Sequence, residues 1–135
     1  MKPCPGCPFS PSVKPGDLGG SPVETFLGQA AGPFMLHCHA APGYSPAASR
    51  ANPHLRQCAG AAIYRANTGV APFLPTPLLR LPPGDEAFRT PAAMVAHHCE
   101  VPLEEAEAAL RETPVSELAA RQRARATNTY HVLPA

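Results

Sequence analysis

Four sulfurs carry the chemistry that this sequence offers. Cys4, Cys7, Cys38 and Cys58 lie in the first half of a 135-residue chain with five cysteines in all. Cys4-Pro5-Gly6-Cys7 is a tight pair, Cys38 stands between His37 and His39, and Cys58 opens Cys58-Ala59-Gly60. A thiolate is a strong ligand for soft and borderline metals, and a C-x-x-C pair can grip one ion from a single turn. The full spacing, C-x2-C-x30-C-x19-C, supplies one close pair and two ligands that arrive singly. Zinc accepts such a set, and so does a [4Fe-4S] cluster, whose larger core takes ligands from dispersed elements. Zinc is the first reading and the cluster the alternative.

Other roles are open to these residues. His37 or His39 could replace one thiolate on zinc. On an extended segment, however, both point away from Cys38 and would need a local kink. A plain packing role suits Cys58 on an apolar helix face, since free cysteine behaves as a small hydrophobe. It does not suit Cys4 and Cys7, whose proline-rich surroundings offer no core. A redox pair of the thioredoxin kind would need a βαβ context that is missing here.

The run Cys4-Pro5-Gly6-Cys7-Pro8-Phe9, then Cys38-His39, then Cys58-Ala59-Gly60, resembles a family of short uncharacterised bacterial and phage proteins, the DUF6283 type. That family shows a C-x-x-C-P-[FW]-R opening, a central Cys-His and a later Cys-Ala-Gly. The likeness covers residues 4–62, and Ser10 stands where the family usually has arginine. It implies a four-cysteine metal centre and carries no established activity.

Two further clusters invite chemistry. His97-His98-Cys99, with Glu100 beside it, ends a helical stretch. Neighbours on a helix do not face one another and rarely meet on one ion, so these histidines are expected to complement the helix dipole instead. Arg121, Arg123 and Arg125 could contact phosphates from the last of three helices, as in a helix-turn-helix. Against this, Glu100, Glu104, Glu105, Glu107, Glu112 and Glu117 make the same region acidic. There is no Gly-rich phosphate loop and no H-E-x-x-H.

The elements that must position these groups follow from punctuation and period. Residues 1–20 read as a turn-rich loop. Ser21-Pro22-Val23-Glu24 is a capping-box pattern that predicts a helix over about residues 22–30. Residues 33–39 form an apolar run of strand length that delivers Cys38. Residues 40–53 read as a loop, with a helical turn after Ser45-Pro46. Apolar positions at Leu55, Cys58, Ala59, Ala62, Ile63 and Ala66 predict an amphipathic helix from His54 to Asn67, with Cys58 on its inner face. Residues 70–89 read as a proline-rich linker. Thr90-Pro91, Pro102 and Thr113-Pro114 then start three helices, the third ending near Ala126. The second of these should carry Leu103, Ala106 and Leu110 on its inner side.

Composition bounds the rest. Nineteen prolines, ten glycines and no tryptophan leave a thin core that a metal staple would help. The expected architecture is mainly α: a loop-rich, metal-stapled part over 1–69, a linker over 70–89 and a three-helix part over 90–135. A net charge of +1 gives no global signature of a nucleic-acid or membrane binder. With no apolar run of signal-peptide or membrane-span length, a cytoplasmic location is expected, where thiols stay reduced. The functional expectation is a small metal-binding, non-enzymatic binding or regulatory module that acts through a protein partner. The alternative is an iron–sulfur regulator that senses redox state or associates with DNA.

Overall fold

The computed structural model describes residues 1–40, 42–52, 54–75 and 77–129. Six helices form among them: α1 (Val23–Ala31), α2 (Pro46–Ala51), α3 (Ala59–Asn67), α4 (Pro91–Cys99), α5 (Leu103–Glu112) and α6 (Val115–Thr129). A single 3-10 turn lies at Ala71–Phe73. The chain is mainly α, with a loop-rich first half and three helices after residue 90. Residues 130–135, the tail of the expected three-helix part, lie outside the described residues.

Local signals account for most helix starts. Thr90 caps α4, its side chain accepting from the Ala93 N–H at 3.1 Å, with Pro91 at the first helical position. Ser45 caps α2 in the same way, accepting from the Ala48 N–H at 3.0 Å. The capping box at α1 does not form. Pro22 is the cap residue and gives no side-chain bond, while the Ser21 N–H turns back to the Leu18 carbonyl at 3.3 Å.

Two other expectations are corrected. Residues 33–39 join no sheet; they are extended and make an isolated antiparallel bridge between His37 and Gln57. Residues 54–57 are spent on that bridge, so α3 starts at Ala59 rather than His54, and Cys58 becomes its N-cap. On α5, Ala106 is buried but Leu103 is 51% exposed, so the inner stripe is narrower than its period suggested.

One core joins both halves. Phe9, Phe34, Leu27, Met94 and Cys7 are its largest fully buried side chains. Burying a phenylalanine or leucine contributes about 1.5–3 kcal/mol each. Phe9 lies edge-on to Phe26 at 6.1 Å between centroids and tilted against Tyr64 at 5.2 Å. The most extensive helix–helix contact pairs α1 with α6. It depends on Gly28: a Cβ there would stand 2.5 Å from the Leu118 carbonyl oxygen, so only glycine lets the two backbones approach.

Polar side chains fasten the proline-rich segment where a sheet would otherwise do so. Asn67 donates to the carbonyls of Gly84, Ala87 and Phe88 at 2.8–3.2 Å and accepts from the Gly84 N–H at 2.9 Å. Gln57 donates to the Pro77 carbonyl at 2.9 Å and accepts from the Leu79 N–H at 2.7 Å. The end of this segment enters the core through Ala87 and Phe88, and the Phe88 N–H donates to the Phe9 carbonyl at 2.9 Å.

The paired histidines tie the N-terminal loop to α4. His97 Nε2 donates to the Val13 carbonyl at 2.6 Å, and His98 Nε2 to the Pro8 carbonyl at 2.8 Å. The Gly16 N–H donates to His98 Nδ1 at 3.1 Å, which fixes His98 as the neutral Nε2–H tautomer. Burial holds its pKa below the usual 6.5, reinforced by His97 and opposed by the Pro8 carbonyl and Asp17. An unfolded chain therefore takes up this proton before the folded one does. The stability that neutral His98 confers is complete above about pH 6.5 and is lost as pH falls toward the depressed folded value. A urea titration series should show that acid slope in the wild type and a flatter one in His98→Gln. Equal slopes would remove His98 from the acid response.

Candidate metal centre

The N-terminal loop is a string of tight turns. The Cys7 N–H donates to the Cys4 carbonyl at 3.0 Å, and the Ser10 N–H to the Cys7 carbonyl at 3.1 Å. Proline at positions 5 and 8 bars helix and leaves these turns to fold Cys4 and Cys7 inward. The bridge at His37–Gln57 brings the other two cysteines in. The Cys38 N–H donates to the Arg56 carbonyl at 2.8 Å, and the Cys58 N–H to the Leu36 carbonyl at 2.7 Å.

The sulfurs meet as two pairs. Cys7 Sγ and Cys58 Sγ are 3.6 Å apart and buried. The Cys4 thiol is pushed up, first by burial and then by the Cys38 thiol beside it, with a smaller contribution from Cys58. All five cysteines are free thiols, with Cys99 exposed and apart on α4. Among the described residues, no three His, Cys, Asp or Glu side chains are grouped so as to hold one ion as they stand.

Backbone N–H groups near three of the thiols act to lower their pKa values. The Gly6 N–H lowers Cys4, the Phe9 N–H lowers Cys7, and the N–H groups of Ala61 and Gly60 lower Cys58. At Cys4, Cys7 and Cys58 one of these groups belongs to the residue two positions on. Cys58 Sγ also accepts from the Ala61 N–H at 3.4 Å as the cap of α3. Cys38 Sγ accepts from the Arg56 guanidinium at 3.4 Å. Cys58 is pulled down, chiefly by its contact with the Cys7 thiol, and Cys7 is correspondingly pushed up.

Gly60 explains the Cys-Ala-Gly spacing. A Cβ at this position would collide with Cys7 Sγ and stand 3.3 Å from the Phe9 Cβ. The absence of a side chain makes the space in which the Cys7 sulfur sits over the first turn of α3.

A buried cation lies behind the thiols. Arg65 on α3 is 4% exposed. Its Nε donates to the Ala30 carbonyl at 3.0 Å; one terminal nitrogen reaches the carbonyls of Gln29, Gly32 and Phe34 at 2.7–3.0 Å. It thus closes the C-terminal end of α1, where basic groups suit the helix dipole. Burial lowers its pKa to about 10, and Cys58 acts in the opposite sense. Nothing in the residue pattern pointed to this role beyond an arginine on an apolar stretch.

The remaining candidates fall elsewhere. His37 Nδ1 is engaged with Ser49 Oγ at 2.7 Å, and His39 packs against Tyr44 with centroids 4.8 Å apart. Both histidines border a cavity that also touches Cys4, Cys7 and Cys58. Arg121, Arg123 and Arg125 are exposed on α6, with Arg121 donating to Glu117 at 3.3 Å. No helix among the described residues is long and apolar enough to cross a membrane. Comparison of the chain with family models, with curated proteins and with solved structures finds no match.

Proposed function

We propose that Cys4, Cys7, Cys38 and Cys58 hold one zinc ion that staples the N-terminal half of a non-enzymatic binding or regulatory module. The observation that carries this reading is the geometry at the sulfurs: Cys7 Sγ and Cys58 Sγ lie 3.6 Å apart, Cys58 Sγ accepts from the Ala61 N–H, and Cys38 Sγ accepts from the Arg56 guanidinium. Such donors favour thiolates over thiols. A group of thiolates needs a cation, and zinc bound to sulfur at about 2.3 Å places two ligands about 3.8 Å apart in a tetrahedron. The Cys7–Cys58 separation of 3.6 Å suits two ligands of one ion. In a four-iron cluster each thiolate sits on its own iron and stands further from the next, so zinc is favoured over [4Fe-4S]. To hold one ion, Cys4 and Cys38 would have to draw toward Cys7 and Cys58.

Charge supports the same reading. Four thiolates and one zinc carry a net −2, and Arg56 and Arg65 supply two positive charges beside Cys38 and Cys58. Zinc with four thiolates has no open position for substrate, which favours a structural ion over a catalytic one. The resemblance to the DUF6283 type points to the same four residues. Function through a protein partner is part of the proposal.

Elemental analysis and an absorption spectrum of protein purified without oxygen test it. About one zinc per chain with no visible absorbance is the expected result. About four irons with broad visible absorbance would replace the zinc reading by the cluster. Metal-free, fully folded protein would end both.

A further inference from the structure

From the cleft between residues 54–57 and 77–80 we infer a docking site for an acidic segment of a partner protein, one that carries aliphatic side chains beside its carboxylates. This gives the partner of the proposed module a chemistry; it rests on that reading of a protein partner and is independent of the metal. Gln57 holds the two segments together through the Pro77 carbonyl and the Leu79 N–H. The cleft is open to solvent and has a volume of about 740 Å³, within the range of ligand sites. Met35 and Leu78, 9% and 3% exposed, make its floor, and Leu55 is half-buried beside them.

Charge says what would cover it. Between Glu24 and Asp85 the sequence holds four arginines and no aspartate or glutamate. One of these, Arg65, is buried and spent on carbonyls. Two others, Arg56 and Arg80, are exposed and line the cleft with His54. Neither arginine is in an ion pair among the described residues. Arg80 donates to the Ala71 and Leu74 carbonyls, which hold the guanidinium in place without offsetting its charge. Arg56 turns one N–H to Cys38 Sγ and so serves the cysteine centre, but a guanidinium has more donors than that bond uses. An arginine fork anchored in this way is preorganised for a carboxylate. No phenylalanine or tyrosine lines the cleft, so it offers no platform for a stacked base. Two arginines also neutralise too few phosphates for strong nucleic-acid binding. An aliphatic floor between cationic groups instead suits a peptide that alternates apolar and acidic side chains.

The test titrates the full chain with fluorescein-labelled probes, read by anisotropy, with metal content measured on the same sample. The probes are a decapeptide of alternating glutamate and leucine, its glutamine–leucine counterpart, and a short oligothymidylate. The acidic peptide should bind about tenfold more tightly than the neutral one, the equivalent of one charge-assisted hydrogen bond. Its binding should weaken as salt rises. Arg80→Gln should weaken it about tenfold. His54→Glu, which places a carboxylate at the cleft from an exposed position, should also weaken it and guards against misfolding of the first variant. Indifference to the acidic peptide, equal binding of the neutral one, or undiminished binding by both folded variants overturns the site alone. Tighter binding of the oligothymidylate overturns it together with the protein-partner reading. Loss of metal without loss of binding counts against the zinc reading only.

Discussion

Cys58→Ser is expected to remove the bound metal and the cooperative unfolding transition together. A serine hydroxyl stays protonated at neutral pH and is a poor zinc ligand. Structural zinc contributes about 10–16 kcal/mol of apparent binding free energy at neutral pH. A domain has about 5–15 kcal/mol of net stability, so losing the ion can consume all of it. Cys58 is also the cap of α3 and the partner of Cys7, so the damage begins where the two halves of the site join. Metal per chain and a circular dichroism melt are the readouts. Gly60→Ala separates ligand loss from geometry, because it keeps every thiol and places a methyl group against Cys7 Sγ. It should bind metal more weakly in competition with a chelator. A Cys58→Ser protein that keeps its metal and melts where the wild type does would show that the site is wrongly drawn.

Arg65→Leu is expected to destabilise the protein by about 3–5 kcal/mol, the range for breaking a buried charged network. The guanidinium serves four carbonyls from the end of α1 to Phe34; leucine would take this donor from all of them, and only Gln29 would keep the Gly32 N–H. Each orphaned acceptor costs about 1–3 kcal/mol before the surroundings relax or admit water. Arg65→Lys should recover only part of the loss, since one ammonium cannot reproduce the planar fork. Urea unfolding at constant metal occupancy measures both. A cost below about 1 kcal/mol for leucine would mean that water replaces the guanidinium at little expense.

The parts of this fold that were legible in the sequence rest on local rules. Thr90-Pro91 and Ser45-Pro46 predicted helix starts because an N-cap hydroxyl and a proline act within one turn. Residue type alone singled out the four cysteines, of which Cys7 and Cys58 lie 3.6 Å apart. The misreadings occur where a distant partner decides. Residues 54–57 have a helical pattern, but their bridge to residues 36–38 wins and shifts the start of α3. His97 and His98 stand at the end of a helix, yet their bonds go to Val13 and Pro8 in the N-terminal loop. Arg65 and Asn67 are visible as letters, but their roles depend on backbone that periodicity cannot place. Ser21 failed as a cap for a local reason, since the turn from Leu18 claims its N–H.

The pairing of α1 with α6 has a consequence for synthesis. All four cysteines of the centre have been added once Cys58 is joined, but the helix that packs most extensively on α1 begins only at Val115. At about 5–20 residues per second, the thiols leave the ribosome several seconds before α1 can find that neighbour. His97 and His98, which anchor the N-terminal loop, also arrive late. During this interval the sulfurs are exposed on a chain that cannot yet close its core. An early-bound ion would therefore act on the nascent chain as a nucleus, holding residues 4–58 in register until the last helix docks.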